Sequence, residues 1–348
     1  MTSDTTVADY FAGKRVLVTG GTGSFGKHIV RELAKYDVAT IRIISRDEKK
    51  QYDMLNAYRD IKQLEFMLGD VRDYGRVQEA VAGVEVVFHA AALKQVPNCE
   101  FAPYEAVKTN VEGAENVRRA SIRANVESVV AVSTDKAVKP VNVMGISKAL
   151  QERIMLQTAA VTSGTKFTCV RYGNVLGSRG SVVPFFKHLI AHEKPLPITH
   201  PGMTRFQLTL SEAVGLVLEA AVRGESGDLW VRKMPSARIV DLAAALAEGV
   251  SGRDDYPTVI VGTRPGEKLH EVLVSEEEMW RAREVDDYYV IPPWRKSGDA
   301  TVPPDQKQFP EYSSGNTRLL EHAELMTMLR SDGWFEPEQP HFARLWEV

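Results

Sequence analysis

Short β-branched runs alternate with longer, helix-periodic stretches through the first half of the chain. Arg15–Thr19, Thr40–Ser45, Leu64–Leu68, Val84–His89, Ser128–Ser133 and Phe167–Tyr172 read as strands, each a compact apolar segment. Near-continuous apolar strands are what burial on both faces requires, and strand–helix alternation at this spacing predicts a parallel sheet with helices on both sides. The expected fold class is therefore α/β, a Rossmann-type doubly wound parallel sheet with a smaller α/β cap. After Tyr172 the rhythm changes, with Gly173, Gly177, Gly180, Pro184, Pro195, Pro197, Pro201 and Gly202. Asp228–Arg232 reads as a last strand returning to the sheet, Val240–Ala247 as a helix of the cap, and the segment from Trp294 as an extended, proline- and charge-rich tail.

Composition narrows the picture without deciding it. The chain has 348 residues, 43 Lys plus Arg against 46 Asp plus Glu, and a formal charge of −3. That balance argues against a nucleic-acid binder, while leaving room for a local anion pocket. The two cysteines, Cys99 and Cys169, lie far apart and read as reduced structural thiols. The eight histidines form no metal-ligand spacing, and His89 reads as a strand-end core residue. No apolar run approaches the ~18 residues needed to span a bilayer. The start has no signal-peptide pattern, so the expectation is a soluble, cytoplasmic protein with no membrane insertion.

The first chemistry lies between the first strand and its helix. Thr19-Gly-Gly-Thr-Gly-Ser-Phe-Gly26 sets Gly20, Gly23 and Gly26 three apart, with Thr22, Ser24 and Phe25 between them. One glycine permits the tight turn, one lets the backbone approach a pyrophosphate, and one lets helix pack on sheet. The helix N-terminus then offers N–H groups and a positive dipole end. The second strand ends in Ser45 and Arg46, with Lys49 and Lys50 following. A carboxylate there suits a ribose 2′-hydroxyl and an arginine a 2′-phosphate, so the expected cofactor is NADP.

Residues 133–148, from Ser-Thr-Asp-Lys-Ala to Met-Gly-Ile-Ser-Lys, resemble the active segment of the short-chain dehydrogenase/reductase superfamily. There a tyrosine normally stands four residues before the lysine; here that position is Met144, one helical turn before Lys148. A thioether neither gives nor takes a proton. The resemblance implies that Asp70 and Val71 meet the adenine. It also implies that Ala90, Ala91 and Ala92 let the nicotinamide ribose and phosphates pass, and that Lys148 holds that ribose.

The resemblance becomes more specific with Gly-Asp-Val-Arg-Asp, His-Ala-Ala-Ala-Leu-Lys-Gln-Val-Pro, Arg-Tyr-Gly-Asn-Val, Ser-Arg-Gly-Ser-Val, Met-Thr-Arg-Phe and Gly-Thr-Arg-Pro-Gly-Glu-Lys. Together with the Gly-rich loop and Ser-Thr-Asp-Lys-Ala, these are similar to the UDP-N-acetylglucosamine 4,6-dehydratases of the polysaccharide-biosynthesis family, among which methionine for tyrosine is a known variant of soluble, capsule-type members. The likeness runs over about residues 14–275. It implies hydride removal from sugar C4, loss of the C5 proton and of the C6 hydroxyl as water, hydride return to C6 and reprotonation of C5, with the cofactor ending oxidised. It implies Asp135 as the acid for the C6 hydroxyl, Lys136 as the base at C5, and Thr134 beside them. Each role needs a shifted pKa: a lysine partly neutral and an aspartate partly protonated near neutral pH, both of which burial can produce. Arg179, Arg205 and Arg264, each in a Gly- or Pro-flanked loop, suit the UDP diphosphate. Asn174, Glu267 and Lys94 are weaker candidates for sugar, ribose or nicotinamide contacts.

The expected division is a flexible stretch at 1–13, a cofactor domain at 14–174 with the chain returning near 206–233, a substrate region at 175–205 and 234–293, and an extension at 294–348. The substrate expected is UDP-N-acetylglucosamine and the product a C5-inverted 4-keto-6-deoxy sugar for surface or capsular polysaccharide. The assembly implied by the resemblance is a homo-oligomer, in the form of a hexamer. A C4 epimerase, using the same first hydride step, and a non-catalytic NADP-binding scaffold are the alternatives. Epimerases of this superfamily generally keep the tyrosine, and a scaffold has no need of Thr134-Asp135-Lys136.

Overall fold

The computed structural model describes residues 6–157, 163–178, 180–293 and 309–336. Its centre is a nine-stranded sheet. Strands β1 (Arg15–Thr19), β2 (Thr40–Ser45), β3 (Leu64–Leu68), β4 (Val86–His89), β5 (Ser128–Val132), β6 (Lys166–Arg171) and β10 (Leu229–Arg232) run parallel in the order β10-β6-β5-β4-β1-β2-β3. The order reverses between β1 and β4, the switch point where ligands of open α/β sheets bind. Val16, Leu17 and Val18 of β1 and Val86, Val87 and Phe88 of β4 are fully buried. Each such side chain contributes roughly 1.5–3 kcal/mol by leaving water, which is why these runs form central strands.

Helices cover both faces. Tyr74–Val81 packs on Gly113–Arg123, which packs on Val143–Met155; on the other side Ser24–Leu33 packs on Leu210–Arg223. The last of these is started by a capping box between Thr209 and Glu212. Two further strands extend the same sheet: β15 (Tyr288–Ile291) pairs antiparallel with β10, and β14 (Arg283–Val285) pairs antiparallel with β15. The sequence reading assigned 234–293 wholly to the cap and made Asp228–Arg232 the last strand. The structure instead returns residues 283–291 to the main sheet, because Tyr288, Val290 and Ile291 cover the apolar edge of β10.

The smaller lobe has its own core, in which Phe186, Leu196, Ile198, Leu242, Leu246, Leu325 and Leu329 are buried together. The last two come from the helix His322–Ser331, so the described part of the C-terminal extension is packed structure and not the extended tail expected. Its short strand Tyr312–Ser313 pairs with Val272–Val274. A third sheet, made of β7 (Asn174–Val175), β9 (Thr204–Leu208) and β11 (Ser236–Arg238), lies between the lobes in the order β11-β9-β7. Among the described residues no helix is long and apolar enough to cross a membrane, and no His/Cys/Asp/Glu group could hold a metal ion.

Candidate active site

The Gly-rich loop forms a cradle at the switch point. Gly20 takes φ of +67°, and a Cβ there would lie 2.9 Å from the Ala91 backbone. At Gly26 a Cβ would come within 2.4 Å of Gly21, so only hydrogen allows the helix to sit this close to its own turn. Gly23 is the N-cap of Ser24–Leu33 with no side-chain cap bond, which leaves the helix end to accept an anion. The Thr22 and Ser45 hydroxyls bond at 2.8 Å, tying the loop to the end of β2. Phe25 stacks on Tyr172, with ring centroids 6.3 Å apart. Beyond β2, the exposed Arg46 lies 3.9 Å from Asp70, which also accepts from Arg72 at 2.7 Å. Partial burial works against the Asp70 carboxylate, but the Arg72 hydrogen bonds and charge, with Arg46, hold its pKa below the usual value. Val71 is buried beneath it, while Ala90, Ala91 and Ala92 are half-buried along the crevice. These residues fit a dinucleotide: small side chains where a backbone must come close, and a guanidinium at the ribose end.

Two residues under the crevice are buried and polar. His89 bonds through Nδ1 to the Thr19 hydroxyl at 2.9 Å. Burial, with Lys148 nearby, pushes its pKa down to about 3, so it is neutral at ordinary pH. The Lys148 ammonium donates to the Val132 carbonyl and to Gln151 Oε1, both at 2.7 Å. Burial lowers its pKa to about 8. Met144, at the superfamily's tyrosine position, is 4 % exposed and packs with Cys99, Ala106, Leu93 and Val96. It fills an apolar cluster.

Three polar side chains expected to handle protons gather at the end of β5. Thr134 donates to Asp135 Oδ1 at 2.9 Å, and Lys136 Nζ donates to the same oxygen at 3.1 Å. Asp135 is 1 % exposed and its Oδ2 has no hydrogen-bond partner. Burial raises its pKa against the pull of Lys136, and the nearby Glu271 adds to the rise. For Lys136, burial again disfavours the charge, but the carboxylates of Asp135 and Glu271 outweigh it and hold the pKa above the lysine norm. The expectation of a partly neutral lysine is thus corrected. Two carboxylates hold it as an ammonium.

Glu271 escaped the sequence reading. Its carboxylate lies 3.2 Å from Lys136 Nζ and 3.9 Å from the Arg205 guanidinium. The signal was modest: an acidic residue three beyond the Gly-Thr-Arg-Pro-Gly-Glu-Lys motif, immediately before the buried strand Val272–Val274. Arg205, expected in an open loop, lies in the strand Thr204–Leu208, is 7 % exposed, and donates to the Thr204 and Leu269 carbonyls. Arg264 is exposed in a turn closed by Glu267, whose carboxylate accepts the Arg264 N–H. That turn abuts the active helix, because Asn142, its N-cap, donates to the Gly266 carbonyl at 2.9 Å. Asn174 pairs with Gln207 two strand positions from Arg205. Lys94 is exposed beyond Ala92, and Lys49 bonds Asp53 on the surface. Arg179 lies outside the described residues.

The sequence profile described as "Polysaccharide biosynthesis protein" matches residues 16–293. The chain belongs to this family. A member of comparable length, named UDP-glucose 4-epimerase, from Rickettsia canadensis is 46% identical over 343 residues, covering 94% of this chain and 98% of the relative. A protein of the same name from Rickettsia felis is 45% identical with the same coverage. The crystal structure of Pen from Bacillus thuringiensis superposes with a TM-score of 0.85 at 33% identity, over 93% of this chain and 99% of that one. A dTDP-glucose 4,6-dehydratase from Streptomyces venezuelae, DesIV, solved with NAD and TYD, gives 0.68 at 22% identity over 73% and 86%, a likeness of fold. The family member is accordingly an enzyme of the nucleotide-sugar epimerase/dehydratase superfamily.

Proposed function

We propose that the protein is an NADP-dependent UDP-N-acetylglucosamine 4,6-dehydratase, C5-inverting, acting as a cytoplasmic homo-oligomer in surface or capsular polysaccharide synthesis. The observation that carries this reading is the Thr134–Asp135–Lys136 cluster, with Asp135 buried, beside a tyrosine position filled by packed Met144. Epimerisation at C4 calls for a hydride to leave C4 and return to its other face, with one proton leaving and returning on O4. A dehydratase must also remove a C5 proton and protonate a departing C6 hydroxyl, which calls for an acid and a base together.

NADP, held by Gly20, Thr22, Gly23, Ser24, Phe25, Gly26, Ser45, Arg46, Asp70, Val71 and Ala90–Ala92, would supply the hydride acceptor and donor, with Lys49 as an additional cation. Arg46 is the group suited to its 2′-phosphate. Asp135, with its raised pKa, is the acid that protonates the C6 oxygen as water leaves. As C4 is oxidised, its hydroxyl proton passes to a water held at Thr134, since the Met144 thioether cannot take it; Lys136 then takes the C5 proton, made acidic by the new ketone. Because Lys136 rests as an ammonium, it must first pass a proton on, and Asp135 Oδ1 at 3.1 Å is in reach. Thr134 orients Asp135 through its hydroxyl. Lys148 stiffens the end of β5 and keeps positive potential beneath the nicotinamide ribose. Arg264, Arg205 and Arg179 are assigned to the diphosphate, with Asn174, Glu267 and Lys94 around the sugar and ribose.

The second reading, a C4 epimerase, is favoured by the names of the Rickettsia relatives. Incubation with UDP-N-acetylglucosamine and mass analysis of the nucleotide sugar separates the two. Loss of one water supports the dehydratase; a product of unchanged mass with inverted C4 supports the epimerase.

A further inference from the structure

Lys136 has two carboxylate partners from opposite ends of the fold. Its Nζ lies 3.1 Å from Asp135 Oδ1 and 3.2 Å from Glu271 Oε1. Asp135 belongs to the turn that ends β5, whereas Glu271 precedes the strand Val272–Val274 of the interlobe region. Glu271 is 3 % exposed, and its position is set by the C-terminal extension. Its N–H donates to the Ser314 hydroxyl at 2.9 Å, and its carbonyl accepts the Ser314 N–H at 2.8 Å. Ser314 is itself fully buried and bonded to the Thr204 hydroxyl, which also bonds His270 Nδ1 at 2.8 Å. The Glu271 carboxylate therefore has little freedom. Oε1 faces Lys136, and Oε2 has no hydrogen-bond partner, with Lys268 Nζ 3.8 Å away.

We propose that Glu271 is a positioning residue for Lys136, fixing the ammonium against Asp135 and setting the pH range in which that lysine serves as base. The inference rests on the dehydratase reading for the word base, but its geometry does not. The charged groups around Lys136 are Asp135 from its own turn, Glu271, Arg205 from β9 and Lys268 from the preceding loop. Arg205 and Lys268 repel the ammonium; Asp135 and Glu271 retain it. Loss of either carboxylate tips the balance toward the free amine. Holding the lysine by two anions gives the proton a defined home before substrate arrives. One anion remains beside it when Asp135 turns its proton toward a leaving hydroxyl.

The test replaces the charge while keeping the shape, in Glu271→Gln of the full chain. Competitive labelling of amines with acetic anhydride across pH, with Lys136 read by peptide mass spectrometry, reports its titration without requiring turnover. The expected midpoint for Lys136 in Glu271→Gln lies ~1–3 pH units below that of the wild type, because removing an anion within 4 Å disfavours the charged amine. The base-dependent limb of kcat should move in the same direction, with KM for the nucleotide sugar little changed. Glu271→Asp, which keeps the charge, should restore most of the wild-type midpoint, and serves if Glu271→Gln does not fold: a midpoint lowered by less than ~1 unit supports the proposal, an unchanged one opposes it. Coincident midpoints for wild type and Glu271→Gln would overturn it, as would a turnover loss equal at every pH. If the wild type dehydrates UDP-N-acetylglucosamine and the midpoint does not move, only the role of Glu271 fails. If the midpoint moves while no dehydration occurs, the positioning role stands and the dehydratase reading fails.

Discussion

Two charge clusters with buried carboxylates flank the end of β5, and they are finished to different degrees. In the first, Arg171 donates to both oxygens of Glu152 at 2.8 and 2.6 Å and to both oxygens of Glu278 at 2.9 and 2.8 Å. It also donates to the Leu273 carbonyl, and Ser133 donates to Glu152. Every carboxylate oxygen has a donor. In the second, Lys136 joins Asp135 and Glu271, yet Asp135 Oδ2 and Glu271 Oε2 have no hydrogen-bond partner. A satisfied network rigidifies a fold; one that leaves buried acceptors open holds capacity for chemistry at a cost in stability. The first cluster pins the segment 273–281 to the active helix. The second is where we assign the proton transfers.

The largest effect tests the structural cluster. Arg171→Met strands two buried carboxylates and is expected to lower unfolding free energy by roughly 3–5 kcal/mol, read by urea melts. Adding Glu152→Gln and Glu278→Gln should recover much of that loss, since no uncompensated charge then remains. Lys136→Ala tests the other cluster. Turnover should fall by ~10²–10⁴-fold with cofactor content unchanged. Its stability cost should be smaller than that of Arg171→Met, because Arg205 and Lys268 still face Glu271, and Asp135 can take up a proton. Equal stability losses in the two variants would erase the distinction.

A milder effect is expected at the cofactor end. Arg46→Ala should weaken NADP by ~1.5–3 kcal/mol while leaving NAD nearly unaffected, measured by calorimetry on protein freed of cofactor. A further effect is a matter of pH. Lys148 titrates at about 8 in the fold against 10.5 ordinarily, so between those values the unfolded chain holds more protons and stability rises with pH. Lys166, lowered by burial to about 8, contributes in the same window. Lys148→Met should therefore remove part, not all, of the gain in melting temperature between about pH 8 and 10.5.

The sequence was readable where structure is local. The strand–turn–helix of Arg15–Leu33 declares itself within twenty residues, because three glycines and an apolar strand do all the specifying. Thr134, Asp135 and Lys136 were legible as neighbours in one motif. The state of Lys136 was not, since its charge depends on Glu271, Arg205 and Lys268, brought in from distant segments. Arg205 read as a loop residue because Gly202 and the surrounding prolines hide a short strand. The return of Arg283–Ile291 to the main sheet escaped notice because its charged outer strand alternates too briefly to declare a face. Ser314, which clamps Glu271, lies in a segment whose composition suggested only a tail.

The measurement closest to the central claim is deuterium incorporation at sugar C5, followed by NMR in deuterated water with UDP-N-acetylglucosamine and no added cofactor. The wild type is expected to give a 4-keto-6-deoxy sugar carrying deuterium at C5, and Lys136→Ala, with its cofactor still bound, is expected to give neither. Product formed without C5 exchange, or exchange that survives loss of Lys136, would contradict the assignment of proton chemistry to this cluster.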